Sequence, residues 1–184
     1  MTFFKSQPAD AGPPSVFTKY PEIYGPWSET SQAMMNGPSP LSPGERELIL
    51  AYAAGAAGCT FVYVAHKEVA YEWGIERGLI ERLLADPDNT PVDARLKPLL
   101  AFVRKLAATP NAMTQADADA VFAAGWDETA LQHAIGICAR AAFMHRLVAG
   151  HDFIPLAPEV AVKRAKERIK HGYVNLYAAF RKPA

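Results

Sequence analysis

The sequence predicts an all-α protein, and three observations carry that expectation. No stretch alternates apolar and polar residues at the period of two that marks a half-buried strand. Two capping-box patterns, Ser42-Pro43-Gly44-Glu45 and Thr114-Gln115-Ala116-Asp117, each precede residues with apolar side chains at helical spacing. Half of the 184 residues are apolar, enough to bury one core, and no internal repeat is evident.

Residues 1–40 are rich in Pro, Gly and Ser, and predict an irregular N-terminal arm with one short helix around Trp27–Met35. Phe17, Tyr20, Tyr24 and Trp27 imply that the arm packs on the body, since a solvated tail rarely carries so many aromatic groups. Residues 41–184 read as a single all-α domain. Its first helix opens at the Ser42 box, with Pro43 at the first helical position, and runs through the apolar stretch from Leu48. Gly55 and Gly58 interrupt that stretch. A second helix starts near Cys59 and stops at Gly74, and a third covers Ile75–Ala85 before the turn Asp86-Pro87-Asp88-Asn89.

Asp93–Ala108 is the fourth helix, with Leu96, Leu99, Leu100, Val103 and Leu106 at helical spacing. Pro98 must lie in its first turn or kink it. The Thr114 box opens a helix to Ala124 that Gly125 closes. Asp127 caps a long apolar helix to about Ala149, with Gly150 at its end. Pro158–Arg181 is amphipathic, carrying Val160, Val162, Ile169, Val174, Leu176 and Phe180 among charged residues.

Nineteen basic and nineteen acidic residues cancel, which leaves no electrostatic footprint for nucleic acid or an anionic membrane. The N-terminus MTFFKSQPADAGPPS has no apolar run of the kind an export signal needs. The longest apolar stretches, such as Ile49 to Ala57, are too short to cross a bilayer. Two cysteines in such a chain read as reduced thiols, and the expected setting is the cytoplasm.

The candidate chemistry lies around the run C-T-F-V-Y-V-A-H. A helix there places Cys59, Val62, Tyr63 and His66 on one face. Cys59 follows Gly58 at a predicted helix N-terminus, where unpaired N–H groups lower a thiol's pKa. His66 could take its proton, and Glu47 could orient the imidazole. The same residues also fit a small buried cysteine, a satisfied core histidine and a surface glutamate. Tyr63 either donates to a substrate oxygen or packs in the core. Arg146 either meets a carboxylate such as Glu47, or an anionic substrate, or forms a structural ion pair. Cys138, in the middle of the long helix, reads as a buried structural thiol, and a disulfide to Cys59 needs Cα atoms within about 7 Å. His151-Asp152 supplies two of the three protein ligands a catalytic metal wants, so neither a metal nor another cofactor is expected.

The stretch L-S-P-G-E-R-E-L-I-L, then Gly58-Cys59 and Ala65-His66, resembles the core motif of the alkylhydroperoxidase D and carboxymuconolactone decarboxylase family. The redox branch of that family carries a Glu, eleven residues, Cys-x-x-Cys, three residues and a His; Glu47, Cys59 and His66 fall on that pattern. L-A-F-V-R-K-L at Leu100–Leu106, the Thr114–Asp117 cap and A-F-M-H-R-L-V at Ala142–Val148 are similar to later family segments. Y-P-E-I-Y-G-P-W resembles the N-terminal arm of peroxidase-related members. The resemblance spans roughly residues 17–150 and implies an alkylhydroperoxidase D-like (AhpD-like) multi-helix bundle that assembles as a homo-oligomer, a dimer or larger. His145 and Arg146 fall where such members often carry Asn-Arg, which makes them, with Tyr63, candidate substrate-binding residues.

In the redox branch the second cysteine attacks the peroxide and the first resolves the sulfenate. Val62 stands at that second position here. The favoured expectation is therefore a peroxidase-related oxidoreductase with one working cysteine, Cys59. His66 would be its base, Glu47 the partner of His66, and an external thiol its reductant. A second expectation resembles the decarboxylase branch: a cofactor-free acid–base enzyme acting through Glu47 and His66 on a small lactone or carboxylic acid. A third is a non-catalytic small-molecule-binding protein.

Overall fold

The computed structural model describes residues 2–177 and 180. Among them there are nine α-helices, one 3-10 turn and no strand, an all-α bundle as the sequence predicts. The arm holds two helices, α1 (Pro13–Phe17) and α2 (Pro21–Asn36), so the expected single short helix is corrected. The helix expected from about Trp27 begins earlier, because Pro21 starts α2 at its first position and Pro26 is accommodated within it. Pro26 removes one N–H from the ladder, and the Thr30 hydroxyl donates to its carbonyl at 3.0 Å.

Both halves of the first capping box form ahead of α3 (Pro43–Ala56). The Glu45 N–H donates to Ser42 Oγ at 3.2 Å, and the Ser42 N–H donates to Glu45 Oε2 at 2.7 Å. Ser42→Ala should therefore cost about 1 kcal/mol of stability. A urea unfolding curve measures it, and an unmoved midpoint would show that the box contributes nothing. Beyond the cap α3 is apolar on every side: Leu48, Ile49, Leu50, Ala51, Tyr52 and Ala53 are all buried. A helix of that kind must lie at the centre of its bundle. It packs against α4 (Thr60–Glu72), α5 (Leu79–Ala85), α6 (Leu96–Ala108) and α8 (Glu128–Gly150).

The other helices close the layer around it: α7 (Gln115–Ala123) lies on α6, and α9 (Pro158–His171) lies on α4. The third helix begins at Leu79 rather than Ile75, after Gly74 and Gly78, both at positive φ. Pro98 is the third residue of α6, in the first turn, where its missing N–H costs no helical bond. Asp127 accepts the Ala130 N–H at 2.7 Å and caps α8 as predicted. No described helix is long and apolar enough to cross a membrane.

The predicted helix Pro158–Arg181 is too long. It stops at His171, so Val174, Leu176 and Phe180 lie beyond it, and Arg181 is outside the described residues. Gly172 makes the stop, with φ 64° and ψ −155°, a conformation essentially restricted to glycine. A Cβ there would also collide with Gln32 Oε1. That oxygen accepts the Tyr173 N–H at 2.7 Å, so the turn is pinned to α2 and delivers Tyr173 into the core.

Candidate active site

Glu47 lies in the buried first half of α3 and His66 in the middle of α4, two helices joined by three residues. The short connection and close packing of the two helices bring the side chains together: His66 Nδ1 is 2.7 Å from Glu47 Oε2. Glu47 is 2 % exposed and His66 4 %. The second carboxylate oxygen, Oε1, accepts the Tyr173 hydroxyl at 2.6 Å. Two guanidiniums flank this tyrosine, with Arg140 and Arg168 each 4.7 Å from the ring centre.

The electrostatics decide which member holds the proton. Burial disfavours a charged Glu47, but His66, Arg168 and the Tyr173 hydroxyl outweigh it and hold the carboxyl below its ordinary value. Burial dominates at His66 and lowers it to about 4, against the pull of Glu47, and the positive charges of Arg168 and Arg140 push the same way. Near neutrality the pair is thus a carboxylate accepting Nδ1–H from a neutral imidazole. Nε2 keeps the lone pair that can take a proton.

His66 lines a small cavity of about 40 Å³. Phe17, Phe61, Val62, Ala65 and Met144 form its apolar wall; Ser28, Ser31, Arg140, Arg168 and Tyr173 supply polar groups. Cys59 does not line it. The thiol sits at the N-cap of α4, 3 % exposed, in an apolar cluster with Val16, Phe17, Ala54, Met144 and Phe153. The expected lowering of its pKa is reversed. Burial raises it above the ordinary cysteine value, although the neighbouring N–H groups of Val62 and Phe61 at the helix N-terminus pull the other way. Cys59 should accordingly react with a disulfide reagent at pH 7 far more slowly than a free thiol, and reaction at the free-thiol rate would contradict this placement.

A comparison with known families finds no matching model, and no curated protein matches the chain. Among the solved structures that share its architecture are two peroxidase-related proteins. One is an uncharacterized peroxidase-related protein from Ralstonia eutropha JMP134 with the alkylhydroperoxidase AhpD core. It is 18 % identical with a TM-score of 0.71, over 80 % of this chain and 76 % of that one. The other is an uncharacterized peroxidase-related protein from Silicibacter sp. TM1040. It is 20 % identical with a TM-score of 0.64, over 84 % of this chain and 96 % of that one. The fold is that of the AhpD core.

Within this AhpD fold the predicted site residues separate into four places. Glu47 and His66 meet. Cys59 does not line the His66 cavity, although it shares an apolar cluster with the wall residues Phe17, Phe61, Val62 and Met144. Val62, at the position of the redox branch's attacking thiol, lines that cavity. Tyr63 is half-buried beside Lys67 and Glu81, where burial and that carboxylate raise the pKa of its hydroxyl. His145 and Arg146 line a different pocket of about 510 Å³, together with Cys138. Arg146 donates to the Ala142 carbonyl at 2.8 Å, and burial pushes the Cys138 thiol up to about 11. His151 caps α8 and stacks between Phe4 and Phe153.

Three groups at the AhpD-fold site were missed by the sequence reading: Arg140, Arg168 and Tyr173. Arg140 carried a signal, as the single charge in the run from Ala134 to Met144. Gly172 after a basic last turn was the signal that α9 ends there and frees Tyr173. Arg168 had none, because it is one cation among many on a charged helix.

Proposed function

We propose that this AhpD-fold chain is an acid–base enzyme in which His66, held by Glu47, moves a proton on a small molecule bound in the adjoining cavity. One observation carries the reading: the cavity presents the imidazole but no thiol, because Val62 lines it and Cys59 does not. Nε2 accepts a proton from the substrate, and the resulting imidazolium is stabilised by the Glu47 carboxylate against its Nδ1–H. The imidazolium, its proton exchangeable with solvent, then delivers a proton to the product. Tyr173 and the guanidiniums around Glu47 keep that carboxylate ionised throughout. This is the second of the expectations drawn from the sequence.

Hydroperoxide reduction by Cys59 retains specific support. The Phe61 and Val62 N–H groups at the start of α4 favour its thiolate, and both fold neighbours are described as peroxidase-related. The two readings part cleanly in one experiment. Wild type, Cys59→Ser and His66→Ala are assayed side by side on small lactones and carboxylic acids and on hydroperoxides with a dithiol reductant. Under the acid–base reading Cys59→Ser keeps the wild-type rate, and His66→Ala loses a factor on the order of 10² to 10⁴. Hydroperoxide consumption that vanishes in Cys59→Ser reverses the assignment. Self-association belongs to the same proposal, supported by the exposed Ile23, Trp73, Phe143 and Val160.

A further inference from the structure

We infer that the cavity at His66 receives the oxyanion head of an amphipathic small molecule, a carboxylate or similar monoanion, and that an adjoining vestibule takes its apolar body. The inference rests on the acid–base reading only in calling this molecule the substrate.

Arg140 is the first observation. It sits in the middle of α8, 5 % exposed, and its Nε donates to Ser31 Oγ at 3.2 Å. Its Nη1 is buried and has no hydrogen-bond partner among the described residues. An idle N–H on a buried guanidinium is costly unless something accepts from it. The nearby carboxylate, Glu47, already accepts from His66 and Tyr173. The charged side chains lining the cavity are Arg140 and Arg168, so with a neutral imidazole the cluster keeps a net positive charge. An anion with two oxygens answers both the unused donor and the charge.

Size is the second. A water needs roughly 10–15 Å³ of such space, so a cavity of about 40 Å³ admits about three heavy atoms, the size of a carboxylate. The vestibule offers about 250 Å³ more. Pro13, Phe61, Ala65, Arg168 and Tyr177 line both spaces, which makes the two adjacent, with Arg168 at the junction. Much of the remaining vestibule wall is apolar, including Ala11, Pro14, Ile154, Leu156 and Leu176. A free inorganic anion would fill the inner space alone, and a neutral apolar molecule the outer one alone. A head joined to a tail fills both.

Calorimetric titration of the full chain with hexanoate, acetate, inorganic phosphate and hexanol tests this. Hexanoate should saturate one site at least about tenfold more tightly than acetate, phosphate or hexanol. Its charge should also raise the His66 pKa in ring-proton NMR. Arg140→Gln should weaken hexanoate by about tenfold or more and leave hexanol unchanged. Should that variant not fold, Ala65→Leu, which narrows the junction, should weaken hexanoate and spare acetate. Hexanoate binding no tighter than hexanol, acetate or phosphate binding as tightly as hexanoate, or no saturable binding at all would each overturn the inference. The titration is repeated on His66→Gln, where hexanoate binding should persist. Binding there without turnover in wild type removes the catalytic reading and supports the ligand; His66-dependent turnover with no hexanoate binding removes the ligand and leaves the catalysis.

Discussion

Glu47→Gln should lower turnover by a factor on the order of 10² to 10⁴ while leaving the protein folded. The carboxylate accepts from two buried donors at once, His66 Nδ1 at 2.7 Å and the Tyr173 hydroxyl at 2.6 Å. A glutamine amide has one oxygen and one NH₂, so it can accept from only one of them at these positions. If the oxygen stays with Tyr173, the NH₂ faces Nδ1, and the imidazole must move its proton to Nε2. The lone pair that faced the chemistry is then gone. Glu47→Ala is a different perturbation: it strands both donors beside the buried Arg140 and the half-buried Arg168 and should cost about 3–5 kcal/mol of stability. Measuring kcat and the thermal midpoint on both variants separates the effects. A Glu47→Gln enzyme with wild-type kcat would show that the tautomer is irrelevant.

Acid should destabilise the protein through His66. Its folded-state pKa of about 4 lies below the ordinary histidine value of 6.5. Between those values the unfolded chain binds more protons than the folded one, so stability is fully present above about pH 6.5 and falls as pH drops toward 4. A depression from 6.5 to about 4 corresponds to about 3 kcal/mol lost across that window. Glu47, held below its ordinary 4.5, adds a further loss of the same sign only at lower pH. Urea midpoints at several pH values between 7.5 and 4.5 should fall steeply for wild type and less steeply for His66→Gln. Parallel curves for the two proteins would mean that folding leaves the His66 pKa unchanged. A wild type that gains stability over His66→Gln as the pH falls to 6.5 would mean that the pair is an ion pair.

Much of the fold was legible because its signals are local. The Ser42 box, Asp127 and Gly125 mark helix ends by backbone chemistry that tertiary packing has no reason to override. The errors fell where local signals conflict. Gly25-Pro26 argues for a break, yet Pro21 has already set the helix and α2 is held on α8. Val174 and Leu176 continue a helical pattern beyond a glycine whose backbone cannot.

The site was half legible. Glu47 and His66 are nineteen residues apart, and no periodicity brings them together; the family-like motif did so. Of the four residues that helical spacing put on one face, Tyr63 lies beside Lys67 and Glu81, while Val62 and His66 line the cavity. Cys59 did not follow them, because it ends as the N-cap residue, turned into the apolar cluster under the arm, and burial outweighs the helix-terminal N–H groups. That balance depends on neighbours as distant as Val16 and Phe153, which no local pattern reveals.

On the acid–base proposal His66, and not Cys59, is the group that moves protons in this cavity. Wash-in of solvent deuterium at the carbon next to the carbonyl of small lactones and carboxylic acids tests it without requiring a complete reaction. Wild type and Cys59→Ser should incorporate deuterium at equal rates, and His66→Gln should not exceed the uncatalysed rate. No incorporation by wild type, together with hydroperoxide consumption that depends on Cys59, would contradict the account.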